Sequence, residues 1–151
     1  MIHQHIEIVG LNRVLSGLGN IDRGLETLKP LWEQFQSQFH AEESALFASA
    51  PWTPLSPAYA ERKRKEVGSK PILQRTGTLL RSLTEPKARG SITRINDMDA
   101  EFGSSIFYGI FHQLGTARMP ARPPLANPDE RVYGTIAGRY LSGMLTRAGF
   151  N

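Results

Sequence analysis

The sequence predicts an α+β domain in which a small antiparallel sheet packs with a kinked N-terminal helix and a C-terminal helix. Three observations lead there. Short stretches of alternating apolar and polar residues stand near the start and middle of the chain. A long apolar stripe at helical spacing lies between them, and a well-punctuated helix closes the sequence. Two of the strand-like runs are joined by a short turn, which makes the sheet antiparallel.

Ile6 and Ile8 alternate with Glu7 and the pattern ends at Gly10, so residues 2–9 read as a strand. "LSGLGN" is a flexible joint. Ile21, Leu25, Leu28, Trp32, Phe35 and Phe39 then follow one helix face, with Asn20 able to cap its start. Pro30 falls inside this stripe, where it removes a backbone donor, so residues 21–43 are expected to form one kinked helix.

Prolines 51, 54, 57 and 71 bracket a short basic helix, with Ser56 as cap, Pro57 in its first turn and Gly68 as stop. The run Arg62 to Lys65 on that helix reads as a solvated face, because Glu61 and Glu66 flank it. Thr76 is placed to cap a helix that buries Leu79, Leu80 and Leu83. "SITRI" and "AEFGS", separated by "NDMD", form a hairpin, since Asn96 and Asp97 supply turn chemistry.

"IFYGIFHQLG" reads as two helical turns closed by Gly115, with Phe107, Ile110, Phe111 and Leu114 on the buried side and His112 near the edge. An arm follows, stiffened by Pro120, Pro123 and Pro124 and too polar to be core. The last helix is expected over about residues 128–147, with Asn127 as cap, Pro128 in its first position and acids at its positive end. Gly134 and Gly138 share a face of it, which allows a backbone to approach closely, either within the subunit or from another.

The 151 residues make one domain of ordinary size. The absence of cysteine excludes disulfides, thiol nucleophiles and thiolate metal sites. There is no secretory pattern at the start and no apolar run of spanning length, so a soluble, intracellularly made protein with no membrane partner is expected. Residues 1–60 carry a net charge of about −3 and residues 61–151 about +7, which gives the surface a basic side.

Chemistry finds little support. His3 and His5 share a strand face without a third ligand, and neither His40 nor His112 belongs to a set of three ligands. No nucleophile elbow, phosphate loop or dinucleotide turn is present, so no catalytic, cofactor or metal site is assigned. Arg62, Lys63, Arg64, Lys65, Arg118 and Arg122 suit passing phosphates without sequence reading, which leaves a non-specific DNA-binding protein as the competing class.

The ordered motifs "PWTPLSPAY", "ILQRTGTLLRSL", "FGSSIFYGIFHQLG" and "MPARPPLANPDE" resemble the phage virion morphogenesis family, the tail completion proteins of Mu-like phages. The likeness covers about Trp52 to Glu130 and is carried by Trp52, by Thr76 and Gly77, and by Tyr108, His112, Gln113 and Gly115. Two departures stand out: Pro124 replaces the usual phenylalanine of the arm, and Phe111 replaces a smaller residue.

The resemblance implies a single tail completion domain over residues 1–151, which is non-catalytic, needs no cofactor and resides in the virion tail or neck. It implies a ring of copies, with six as the expected number, that contacts other phage tail or neck proteins. A tail terminator capping the tube is the variant within this class. Subunit or partner contacts are expected at Arg118, Pro120, Arg122, Pro123 and Leu125, with the arm laid across a neighbour.

Overall fold

A computed structural model describes residues 1–6 and 27–147. The α+β class is as the sequence predicts. Strand β1 (Ile2–Ile6) is followed by helices α1 (Lys29–Ser49), α2 (Pro57–Val67) and α3 (Thr78–Thr84), strands β2 (Ser91–Ile95) and β3 (Ala100–Ser104), and helices α4 (Gly109–Leu114) and α5 (Glu130–Arg147). The sheet has the order β1-β3-β2 and is antiparallel throughout.

Pro30 opens α1 and does not bend it, because the helix begins at Lys29 after the non-helical cap residue Leu28. A proline in the first turn loses no intrahelical hydrogen bond, which is why it is tolerated there. The expected helical residues 21–26, the Asn20 cap, the glycine joint and strand residues 7–9 lie outside the described residues. Beyond Phe39 the stripe continues through Glu43 and Phe47, so α1 ends six residues later than its apolar pattern suggested.

Helix α1 is the centre of the core. Leu31, Trp32, Phe35, Phe39 and Phe47 are buried along it, and Phe39 stacks on Phe102 of β3 with ring centroids 5.7 Å apart. Helix α3 packs against α1 and the sheet, burying Leu79, Ser82 and Leu83. Leu80 is only half-buried, and Ser82, two residues before the end of α3, faces inward with Leu79 and Leu83. The Ser82 hydroxyl meets that of Ser104 at 2.7 Å, so this buried polar pair is satisfied.

The hairpin closes between Asn96 and Asp99 through a backbone bond of 2.9 Å and a side-chain bond of 2.9 Å. The last helix starts at Glu130, with Asp129 as its cap, for its carboxylate accepts from the N–H of Arg131 at 3.0 Å. Asn127 and Pro128 therefore precede the helix. Tyr133 and Ala137 face the core, and the Phe35 and Tyr133 rings meet edge to face at 4.9 Å. An added Cβ at Gly134 or Gly138 would meet nothing within 4 Å, so no close backbone packing inside the described chain explains either glycine.

Candidate functional site

The segment after α4 is the expected arm, and its own subunit holds it. Gly115 ends α4 at φ 75°, a conformation that favours glycine, and a Cβ there would stand 2.8 Å from the N of Ala121. Thr116 and Met119 then close a tight turn, with Thr116 N–H donating to the Met119 carbonyl at 2.8 Å. The chain comes back alongside α4, where the N–H of Arg122 donates to the carbonyl of His112 at 2.8 Å.

From there the arm is pinned to the loop before α2. The indole N–H of Trp52 donates to the Pro123 carbonyl at 2.7 Å. The Arg122 guanidinium donates through Nε to Thr53 O at 2.7 Å and through Nη2 to Pro54 O at 2.9 Å. Gln113 Oε1 accepts from the N–H of Leu125 at 3.2 Å, and Glu43 Oε1 accepts from the N–H of Ala126 at 3.0 Å.

These bonds hold the arm against its own subunit. Arg122 and Leu125 are buried within the chain, and the Pro123 carbonyl accepts from Trp52 while the Pro123 side chain stays exposed. Extended backbone leaves its donors and acceptors unpaired, and Trp52, His112, Gln113 and Glu43 meet them within the subunit. Arg118, Pro120 and Pro123 remain exposed among the expected contact residues.

The motif residues Trp52, His112, Gln113 and Gly115 thus converge on one task, which is fixing the arm. Thr76 and Gly77 do another: Gly77 is the cap residue of α3 at φ 73°, and the Thr76 hydroxyl accepts from the N–H of Thr78 at 3.4 Å. Tyr108 makes edge contacts with Phe107 and His112.

Returning the arm alongside α4 turns that helix around. Phe107, Phe111 and Leu114, expected inside, are 73%, 49% and 72% exposed. The buried position goes to Gly109, whose missing side chain admits Ile2 and Leu79. An apolar ridge of Phe107, just before α4, and Phe111 and Leu114 within it, spaced by four and three, is therefore left in solvent.

A cleft of about 860 Å³ opens between α2, the loop after it and the arm. Its lining includes Lys63, Arg75, His112, Arg118 and Arg122, and no aspartate or glutamate. Lys63 is buried and donates to the carbonyls of Lys70 at 2.8 Å and Pro71 at 2.6 Å. Burial first, and then the charge of Arg75, holds its ammonium below the usual lysine range. The rest of the basic run is solvated as expected, and Arg64 and Lys65 pair with Glu61.

His112 Nδ1 is buried without a hydrogen-bond partner, and burial, then Arg122, lowers its affinity for a proton. Glu43 is a buried titratable group that the sequence reading did not single out. Burial pushes its carboxyl up to about 8, with the Ala126 N–H opposing and the Glu42 charge adding to the rise. The signal was available, because Glu43 stands four residues after Phe39 and four before Phe47, in phase with the apolar stripe.

Among the described residues no group of three histidines or carboxylates is placed to hold a metal ion. No described helix is long and apolar enough to cross a membrane. Comparison of the chain with protein-family models, with curated proteins and with solved structures found no match.

Proposed function

We propose that this chain is a structural virion component, a non-catalytic tail completion or neck protein that forms a ring of its own copies and joins phage tail to head. The observation that carries the reading is the ridge of Phe107, Phe111 and Leu114. Aromatic and aliphatic side chains held in water on a segment fixed from behind are what a protein interface needs at its centre. The ordered motifs support the same reading, since several of them serve to fix the arm whose return places that ridge outside.

The competing DNA-binding class draws less support. Two of the basic residues once counted for it, Lys63 and Arg122, are buried and spend their donors on backbone carbonyls, and Arg64 and Lys65 are paired with Glu61. Phosphate contact by the remaining exposed cations would be weak and strongly salt-dependent.

Native mass measurement of the purified protein, alone and mixed with tail tubes, tests the proposal. A discrete multiple of the chain mass is expected, either alone or on the tubes. The double variant Phe107→Ser, Phe111→Ser should stay folded by circular dichroism and fail to join tails to heads. A chain that stays monomeric in both settings, or a double variant that assembles normally, counts against the reading.

A further inference from the structure

We infer that the cleft between α2 and the arm is a docking site for an acidic, extended protein segment carrying an apolar side chain between its carboxylates. Charge complementarity identifies the occupant. Two cations of the lining, Lys63 and Arg122, are buried, and among the described residues neither forms an ion pair with a carboxylate. Backbone carbonyls orient these two groups without neutralising them. A buried charge lacking an opposite charge is costly, and the cost falls when an anion arrives.

The surroundings add to that positive potential. Arg118 is exposed at the cleft with no ion pair among the described residues, and Arg75, also exposed, is partly offset by Glu66 at 2.7 Å. No lining carboxylate opposes an incoming acid. The depressed proton affinities of Lys63 and His112 follow from burial together with neighbouring Arg75 and Arg122, so they report the same crowding of positive charge.

A protein segment fits better than a nucleic acid strand. Leu55, Val67, Leu73 and Met119 also line the cleft and offer an apolar side chain a place out of water. Lys63 and Arg122 are buried, whereas a phosphate backbone is met by exposed cations spread along a groove. Arginine and lysine together suit carboxylates, the guanidinium by its planar fork and the ammonium as a point charge. This inference concerns a surface separate from the ridge and stands whether or not the chain forms rings.

The test is a titration of the full chain, followed by amide NMR, with a capped octapeptide that has Leu-Phe at its centre and Asp and Glu on both sides. The expected result is saturable shifts confined to the cleft lining, with a Kd of about 1 mM or tighter. The same peptide with Asn and Gln in place of the acids should bind about 10-fold more weakly, as should the acidic peptide to the Arg118→Glu variant. Arg118 is exposed, so that variant keeps its fold, and circular dichroism checks it. The inference is overturned if the acidic peptide shifts no cleft amide, if the amide peptide binds equally well, if Arg118→Glu has no effect, or if an oligothymidylate of equal length binds more tightly.

Discussion

The indole N–H of Trp52 donates to the carbonyl of Pro123 at 2.7 Å, joining positions 71 residues apart in the chain. One residue before Pro123, the Arg122 guanidinium reaches the two carbonyls that follow Trp52. The loop and the arm are thus stitched reciprocally, each giving a side-chain donor to the other's backbone. That arrangement turns a proline-rich segment, which reads as a free connector, into part of the fold.

Arg122→Ala should therefore destabilise the chain itself. It removes two hydrogen bonds from a charged donor, each contributing about 1.5 to 3 kcal/mol, and leaves two carbonyls to find water. Urea unfolding should show a loss of at least about 2 kcal/mol. Trp52→Phe, which loses one neutral bond, should cost about 1 kcal/mol. Wild-type stability in Arg122→Ala would mean that the stitch contributes nothing.

Gly115→Ala should loosen the same segment from its other end. The position needs φ 75°, and the new methyl would stand 2.8 Å from backbone of Ala121, which cannot swing away as a side chain can. A left-handed conformation alone costs a non-glycine residue about 1 kcal/mol, and the clash adds to it. Faster amide hydrogen exchange at Arg122 and Leu125 is the expected sign. Unchanged exchange at both would show that the turn absorbs the methyl without strain.

Most elements were legible in the sequence because their signals are local. Alternation marks β2 and β3, Ser56 and Gly68 bracket α2, and the phase of Trp32, Phe35 and Phe39 marks α1. What misled was the assumption that apolar residues on a short helix face inward. Phe107, Phe111 and Leu114 lie outside because the inward space beside β1 is taken by Ile2 and Leu79 against Gly109, a tertiary fact that no window of sequence contains. The arm misled for a related reason: its acceptors and donors lie in Glu43, Trp52, Thr53 and Pro54, more than 60 residues away. Pro30 was ambiguous locally, since a stripe in phase across a proline fits a bent helix as well as one beginning there.

Leucines of α3 should separate by burial and not by chemistry. Leu79 and Leu83 are 1% and 0% exposed, whereas Leu80 only borders the core. Leu79→Ala and Leu83→Ala should each cost about 2 to 5 kcal/mol, and Leu80→Ala clearly less. Denaturant midpoints of the three variants decide this, and equal losses would place Leu80 in the core after all.

Glu43 gives the chain a pH dependence of unusual sign. Its side chain is fully buried, with Oε1 accepting from Ala126 N–H and Oε2 unpartnered, and burial raises its carboxyl to about 8 from an ordinary value of 4.5. Between those two values the folded chain keeps a proton that the unfolded chain releases. Stability from this group is therefore complete below about pH 4.5, falls as pH rises, and is lost above about pH 8. The slope within the window approaches about 1.4 kcal/mol per pH unit, so the whole change amounts to a few kcal/mol. Glu43→Gln keeps the shape and an oxygen for Ala126 but cannot ionise. Relative to wild type it should be near equal in stability at the acidic end of the window and more stable at the alkaline end. Urea midpoints of both proteins across the window read the difference directly, and a difference that stays flat with pH would show that Glu43 ionises as readily in the folded chain as in the unfolded one.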